Sequence, residues 1–462
     1  MRAALFSLCL VVGTALAQPH PLTDGVERIG KPGVPGPIAL LGKNAVPIVG
    51  TKRGDKTIHA VVAATTFHRG RVVAFGHGGY FHQGALKVGQ TAKLVANALA
   101  WAGRGKKRVA VSGRHQLDAV FQEHGFEAKS VKLPDLKDVD VLVWTGRPTF
   151  GGAKNEAAVT AFVKRGGGLL VAGLVWGWKQ LNPGKDLARD YRLNAVLAPM
   201  GLLFADGYAG SIEPVGNLPC CHAVEALSRL RTADKKETPQ LLSIVISAYR
   251  ALPADERAYR GRVERIARRT SAGIVPTARQ PIRGGDGITR LTLLVIHERN
   301  RSLPPQKIKA CSSADDFPGA VPRRAPRVTR RVAVDPTMPR WTSTGLYAPP
   351  GEVVRIRWSD SAPWRGYVVR IGCHSDTLWG KPAWKRHPEI SRRFPMAARE
   401  TAVANEHGGL VYIEVPNGGK GKPFTVEISG AVEAPWFVLG QTDPEAWRKT
   451  IRHHLAPWAE VG

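Results

Sequence analysis

The stretch GGLLVAGLVWG (167–177) decides the fold of the first half of the chain. A continuous apolar run of this length, bounded by glycine, predicts a strand whose two faces are both buried in a sheet. Similar runs lie upstream at 71–77, 108–113 and 139–146, and each ends in glycine or a polar turn. The four runs predict neighbouring strands of one sheet.

The segments that separate these runs carry the spacing of amphipathic helices. They are QTAKLVANALAWAG (90–103), QLDAVFQEHG (116–125) and NEAAVTAFVKRGG (155–167). Buried strands that alternate with such helices indicate a parallel sheet flanked by helices, the flavodoxin-like arrangement of α/β proteins. We therefore predict an α/β domain at 27–212.

The composition changes after this domain. Three amphipathic segments without clear strands between them predict a helical spacer: 223–230, 238–252 and 257–269. The run ITRLTLLVIHE (288–298) is rich in β-branched and apolar residues and predicts a short strand. The proline-broken basic run PRRAPRVTRRV (322–332) is typical of a linker. Spacer and linker together occupy 213–330.

The next segment, 331–440, has the pattern of an all-β domain. Short β-branched runs, bounded by glycine, proline and asparagine, lie at 352–358, 366–374, 400–416 and 424–432. Runs of this kind predict an antiparallel β-sandwich rather than further strand-helix units.

The first residues have the features of a secretory signal. Arg2 is followed by the apolar run ALFSLCLVVGTALA, and Ala15-Leu16-Ala17 forms a small-x-small cleavage site. We predict a signal peptide at 1–17 and a protein that is secreted, periplasmic or on the cell surface. No later apolar run approaches the ~20 residues of a membrane-spanning helix, so we expect no transmembrane segment.

The net charge of +29 raises the question of an anionic partner. Nucleic acid is disfavoured because the basic residues are spread along the chain rather than clustered in one patch. Acidic glycans are a second option, since an excess of positive charge attracts anionic polymers. A general effect on solubility is the third.

Catalytic motifs are missing where the predicted fold would need them. An amidotransferase-like or hydrolase-like elbow places Cys or Ser in the turn after a strand, whereas this chain has Leu174, Val175 and Trp176 there. The zinc-peptidase motif H-E-x-x-H is also absent, because the His-Glu pair of HERNR has Arg301 in the place of the second histidine. We predict no catalytic, cofactor-binding or metal-binding residue in this chain.

Histidines and cysteines give weaker signals. His68, His77 and His82 concentrate around one strand, but their spacing along it favours structural roles, with His77 satisfying backbone groups in a turn that we expect to use positive φ at its glycines. The mature chain would keep four cysteines, and we considered one disulfide from the Cys220–Cys221 pair to Cys311. Zinc at 220–222 is disfavoured because the two-residue gap of a usual ligand pair is missing.

The second half of the chain resembles a known family. RWTSTGLYAPPGEVVRIRW (340–358), GYVVRIGCHSDTLWGKPAWKRHPEISRRFPM (366–396), NEHGGLVYIEVPN (405–417) and VEAPWFVLGQTDPEAWRKTIRHHLAPWAEVG (432–462) are similar to the β-sandwich that precedes the catalytic domain in enhancin-like zinc metallopeptidases, metallopeptidase family sixty. The α/β region is similar to the amidotransferase-like domain of the TRP-channel-associated factors.

The resemblance implies an accessory role. In the family a zinc-dependent catalytic domain follows the sandwich, so 441–462 is expected to be a junction to a domain absent from this chain, and the zinc belongs to that domain. The implied substrates are mucin-type glycoproteins. The alternative is a self-standing adhesion protein that binds glycans or cell-surface protein; the oligomeric state is not predicted.

One loop of the sandwich has the composition of a glycan-binding edge. HSDTLWGKPAWKRHP (374–388) combines aromatic faces for stacking on sugars with charged and polar groups for acidic sugars. The candidate glycan-binding residues are His374, Asp376, Trp379, Trp384 and Arg386. The competing interpretation is that the tryptophans only fill the core of the sandwich.

Overall fold

The structure is a computed structural model that describes residues 20–461 apart from 54–56, 147, 149, 183–184, 215–221, 271–273, 360–363 and 397. The chain divides into two compact units. Unit 1 contains residues 1–178, 187–223 and 251–255, and unit 2 contains 179–186, 224–250 and 256–462. The predicted signal peptide at 1–17 lies outside the described residues. No helix in the described part of the chain is long and apolar enough to cross a membrane.

Unit 1 is built on one mixed sheet whose order is β10-β2-β3-β4-β8-β7-β5-β6, with β1 joined to β3 and β9. Its strands are β1 (Ile38–Leu40), β2 (Val46–Arg53), β3 (Thr57–Phe67), β4 (Gly70–Phe75), β5 (Arg108–Gly113), β6 (Glu127–Ser130), β7 (Val141–Thr145), β8 (Gly168–Ala172), β9 (Leu202–Phe204) and β10 (Ser211–Pro214). The four predicted strands are β4, β5, β7 and β8, and they run parallel. The antiparallel strands β2 and β3 were not predicted.

Helices surround this sheet: α1 (Gln83–Leu86), α2 (Thr91–Gly103), α3 (Asp118–Glu123), α4 (Ala153–Lys164), α5 (Val175–Leu181), α6 (Leu187–Asp190) and α7 (Leu193–Leu197). Neighbouring residues of β4 enter different cores, Val73 and Phe75 one of them and Val72 and Ala74 the other. Because successive side chains of a strand point to opposite faces, the sheet is covered on both sides. This double burial explains the continuous apolar runs in the sequence.

Unit 2 contains most of the remaining helices, α8 (Ala223–Arg229), α9 (Thr238–Ala251), α10 (Ala258–Thr270), α11 (Gly287–Ser302) and α12 (Pro444–His453). The three helices predicted for the spacer are α8, α9 and α10. The predicted strand at 288–298 is wrong, because these residues form α11. Leu291, Leu294 and Val295 are buried at the i, i+3, i+4 spacing of a helix, which a short apolar run does not distinguish from a strand.

The β part of unit 2 is antiparallel, as predicted. Its strands are β11 (Ile282–Arg283), β12 (Val328–Val334), β13 (Arg340–Ala348), β14 (Val354–Trp358), β15 (Val368–Ile371), β16 (Ala383–Trp384), β17 (Arg392–Pro395), β18 (Glu400–Val403), β19 (Gly409–Val415) and β20 (Phe424–Glu433). The short strands β21 (Trp436–Phe437) and β22 (Glu460–Val461) pair in parallel.

Eight of these strands are connected in the order β17-β15-β19-β13-β20-β14-β18, with β12 joined to β20. Strand β20 pairs with β12, β13 and β14, so the pairings are continuous rather than divided into two separate sheets. Strand β12 begins at Val328, inside the segment predicted as a linker, so the chain is a strand from that residue onward. The domain boundaries derived from the sequence stay predictions.

Candidate functional site: an arginine-lined cleft

A cleft of about 190 Å³ lies in unit 2 beside the loop that the sequence singled out. Four arginines contribute to its wall, together with two acidic residues and several small polar ones: Arg301, Arg370, His374, Ser375, Asp376, Thr377, Glu389, Ser391, Arg392 and Arg393. The side chains come from α11, β15, β17 and the segments that flank them. We call this feature the arginine cleft.

The sheet side of the arginine cleft is set by strand pairing. Arg370 on β15 lies opposite Arg393 on β17 in the antiparallel register. Both guanidinium groups contact Glu414 on β19, at 3.4 Å from Arg370 Nη1 and 2.9 Å from Arg393 Nε. Arg370 is further fixed because it donates to the carbonyl groups of Gly372 and His374 at 2.8 and 2.7 Å. Its side chain is 7% exposed and that of Arg393 is 60% exposed, so Arg393 is the accessible group.

The helix side of the cleft is centred on Glu389. Its carboxylate accepts hydrogen bonds from Arg301 Nη1 at 2.9 Å and from Trp379 Nε1 at 3.1 Å. The imidazole of His297 lies 3.4 Å from the same carboxylate. Burial by itself would raise the pKa of Glu389, but His297, Arg301 and Trp379 outweigh it and hold this pKa well below its ordinary value. Glu389 is therefore an anion that orients Arg301 at the cleft.

The charges at the cleft do not cancel. The cleft and its direct contacts contain six guanidinium groups and four carboxylates: Arg250, Arg301, Arg370, Arg386, Arg392 and Arg393 against Asp376, Glu389, Glu406 and Glu414. Positive charge is therefore in excess. An anionic group matches this excess, and guanidinium groups bind planar carboxylates in two-point contacts.

The predicted glycan-binding residues are distributed around this cleft. His374 and Asp376 line it. Arg386 donates to Asp376 Oδ2 at 2.8 Å, and its side chain is only 13% exposed. The ring of His374 packs on Phe317 and Trp458, and burial, followed by the charge of Arg386, lowers its pKa. This histidine is therefore a neutral group near pH 7.

The two predicted tryptophans differ. Trp379 is half-buried and uses its indole N–H on Glu389. Trp384 is 0% exposed, and the guanidinium of the buried Arg290 lies 4.4 Å from its ring centroid. A ring with no exposed face cannot stack on a sugar, so Trp384 does not belong to the candidate site. It is a core residue that fixes the loop onto α11.

The sequence did not single out the cleft arginines. Arg301, Arg370, Arg392 and Arg393 come from three separate stretches, and strand register and helix packing bring them together. The sequence did contain one indication of this site. His297 and Arg301 are at positions i and i+4, which places them on one face of a helix. A zinc motif is one use of that spacing, whereas in this chain both side chains meet the carboxylate of Glu389.

Other positions considered in the sequence have structural surroundings. The turn after β8 contains Gly173 and Leu174, and α5 begins at Val175, so the predicted elbow is apolar. His77 Nδ1 accepts a hydrogen bond from the amide of Gly79 at 2.8 Å, as predicted. The expected positive φ at Gly78 and Gly79 is wrong, because they lie in a right-handed 3₁₀-helix.

The structure describes two of the four cysteines and allows a search for groups of metal-binding side chains. Cys311 and Cys373 have free thiols, and Cys311 Sγ lies 3.2 Å from Ser313 Oγ. Cys220 and Cys221 lie outside the described residues. Among the residues that the structure describes, no group of three or more His, Cys, Asp or Glu side chains could hold a metal ion.

Fold and site together define a class: an α/β unit with a mixed sheet and an antiparallel unit that carries an arginine-lined cleft. Residues 323–429 match the family model of the N-terminal domain of M60-like peptidases, and residues 14–211 match that of the TRPM8 N-terminal domain. Both resemblances seen in the sequence are confirmed, each over its own segment. Three of the four cleft arginines lie within residues 323–429, the segment that matches the M60-like model.

Similar proteins of known sequence extend beyond this chain. TRPM8 channel-associated factor 2 of Bos taurus is 28% identical over 95% of this chain and 49% of its own length. The Homo sapiens factor 2 is 28% identical over 95% of this chain and 48% of its own length. The chain thus spans about half the length of these relatives. Among solved structures, the chain is similar to IMPa from Pseudomonas aeruginosa in complex with an O-glycopeptide. The alignment covers 96% of this chain and 56% of the IMPa chain, with 16% sequence identity and a TM-score of 0.45.

Proposed function

We propose that this chain is the non-catalytic, exported part of an M60-like peptidase and that its arginine cleft holds the carboxylate of an acidic sugar on a mucin-type glycoprotein. The observation that carries the proposal is the cleft itself, which has an excess of positive charge and an exposed guanidinium, that of Arg393, within the segment that matches the M60-like N-terminal domain. In this role the chain binds substrate, while zinc and peptide hydrolysis belong to a catalytic domain.

The proposed contacts follow from exposure. Arg393 is 60% and Arg301 is 50% exposed, so both can turn a guanidinium edge towards a ligand while their other donors keep the contacts with Glu414 and Glu389. Arg370 and Arg392 are buried enough to act as fixed charges behind them. Asp376 is 57% exposed and can accept hydrogen bonds from sugar hydroxyl groups.

The test compares 3′-sialyllactose with lactose, each attached to the same carrier, in binding to the purified chain. We expect binding of the sialylated probe only. Arg301→Gln and Arg393→Gln should each weaken it by about tenfold or more, because a hydrogen bond between charged groups contributes ~1.5–3 kcal/mol. Arg355→Gln is the matched control, since Arg355 is exposed on β14 and does not line the cleft.

Equal binding of both probes, or an equal effect of Arg355→Gln, would contradict the proposed role of the cleft. In the first case the sugar carboxylate is not recognised. In the second case the effect comes from overall charge and not from this site. Thermal unfolding of the variants serves as the folding control, and a cooperative transition in each variant shows that the chain still folds.

A second candidate is a protein-binding module, and similarity to channel-associated factors over 95% of the chain favours it. Sialidase treatment of a glycoprotein ligand separates the two functions. Loss of binding after treatment supports the acidic-sugar proposal, whereas unchanged binding supports recognition of protein surface.

A further inference from the structure

Three buried histidines form a contiguous group behind the arginine cleft. His297 on α11, His387 in the segment before β17 and His407 in the segment before β19 are 1%, 2% and 1% exposed. The ring centroids of His297 and His387 are 5.4 Å apart, and those of His387 and His407 are 4.5 Å apart. We call these residues the histidine cluster. It joins α11 to two loops of the antiparallel sheet.

The polar atoms of the histidine cluster are poorly satisfied. Neither ring nitrogen of His297 or His407 has a hydrogen-bond partner in the described structure. His297 lies between two carboxylates, with Nε2 3.4 Å from Glu389 and Nδ1 3.8 Å from Glu406. These separations are longer than hydrogen bonds. Because unpaired buried polar groups are costly, an arrangement that keeps them requires an explanation.

The charged groups that face the cluster balance one another without the histidines. Helix α9 supplies Arg250, α11 supplies Glu298 and Arg301, the 376–389 segment supplies Asp376, Arg386 and Glu389, β17 supplies Arg392, and the segment before β19 supplies Glu406. Four positive and four negative charges leave a net charge of zero. A proton on His387 or His407 therefore adds an uncompensated charge to a buried site.

We propose that the histidine cluster is an acid-sensitive latch, which holds α11 against the sheet loops while His387 and His407 are neutral and releases it when these two residues take up protons. The consequence for binding rests on the function proposed above. Arg301 belongs to α11, whereas Arg370, Arg392 and Arg393 belong to the sheet, so release separates the two sides of the arginine cleft. Acid therefore abolishes ligand binding.

The direction of the pH effect follows from the protonation equilibria. Burial, followed by the neighbouring His297, lowers the pKa of His387 to about 3, and burial, followed by His387, lowers the pKa of His407 well below its ordinary value. In the released state these pKa values return to about 6.5. Between pH 6.5 and 3 the released state thus binds more protons, so the closed state loses stability as the pH falls through this window.

The expected change in the ratio of closed to released protein is large enough to measure. For one histidine with these two pKa values, lowering the pH from 7.5 to 5.0 shifts the closed-to-released ratio by about 30-fold. Protonation of His407 shifts the ratio in the same direction. The test measures urea unfolding and the hydrogen exchange of α11 amides on the ligand-free chain at both pH values. We expect the double variant His387→Asn/His407→Asn to lose most of this pH dependence.

The control is His453→Asn, because His453 is an exposed histidine on α12 of the same unit. It should leave the pH dependence unchanged. Equal pH dependence in the wild type and the double variant overturns the latch. If the double variant does not fold, NMR titration of His387 and His407 in the wild type decides: rings that stay neutral to pH 5 support the latch, and rings that titrate near 6.5 in the folded protein overturn it.

A binding arm separates the latch from the proposed function. The carboxylate of 3′-sialyllactose is ionised at both pH values, so the probe itself does not change. We expect binding at pH 7.5, loss at pH 5.0 in the wild type and retention at pH 5.0 in the double variant. Binding that persists or strengthens at pH 5.0 overturns the regulation. Absence of binding at both pH values, with α11 still released by acid, overturns the proposed function and leaves the latch supported.

Discussion

The sheet of unit 1 and the surroundings of Glu389 in unit 2 use buried space in opposite ways. The carboxyl end of β8, where an α/β enzyme would place a nucleophile, is closed by Leu174 and Val175. Around Glu389, by contrast, arginine, histidine and tryptophan side chains pack against one carboxylate. The comparison indicates that the polar groups able to bind a ligand lie in unit 2, although unit 1 has the fold more often associated with catalysis.

The largest expected effect tests whether the loop tryptophans belong to the core or to the site. Trp384→Ala should lower the free energy of unfolding by ~3–5 kcal/mol, because it leaves a cavity beside the buried guanidinium of Arg290. Trp379→Ala should cost less, ~1.5–3 kcal/mol, since the ring is half-buried and loses one hydrogen bond to a carboxylate. Urea unfolding of both variants measures the difference. A larger loss for Trp379 would reverse our assignment of the two rings.

A smaller effect is expected from the buried polar residue of unit 1. Asn194 Nδ2 donates to the carbonyl groups of Phe204 and Ala251, and Asn194 Oδ1 accepts from the amide of Phe204, all at 2.9 Å. Asn194→Ala should destabilise the protein by ~1–3 kcal/mol because these backbone groups lose their partner. Asn155→Ala serves as a comparison, because Asn155 is half-buried and loses a single bond, to the carbonyl of Phe150. Equal losses would show that water replaces the Asn194 contacts.

No effect is expected in the last experiment. The purified chain should show no proteolysis of mucin that a zinc chelator abolishes, because Arg301 stands where the zinc motif needs its second histidine. Release of glycopeptides, followed by mass spectrometry with and without chelator, measures this. Chelator-sensitive cleavage by this chain alone would contradict a purely accessory role.

The predictions from sequence succeeded where one element decides its own structure. The apolar runs of β4, β5, β7 and β8 identified buried parallel strands because both faces of such strands are covered. The run 288–298 was misassigned because a short apolar segment satisfies strand and helix patterns equally. Its helical state depends on the burial of Leu291, Leu294 and Val295 against neighbouring elements.

The sequence predicted only some of the residues of the candidate site. The loop 374–388 borders the arginine cleft, and His374 and Asp376 line it. The assignment failed for Trp384, since composition does not reveal which of two tryptophans faces the core. The arginines were missed because each of them, taken alone, resembles any other residue of a strongly basic chain.

The sequence by itself determined the order of the two kinds of sheet, the apolar turn at Leu174 and the absence of H-E-x-x-H, because these depend on residue type and local spacing. Only the tertiary structure decided that His297 and Arg301 of α11 share the carboxylate of Glu389, about ninety residues further along the chain. The charge and burial of a group depend on what surrounds it in space, and long-range packing, rather than local pattern, sets those surroundings.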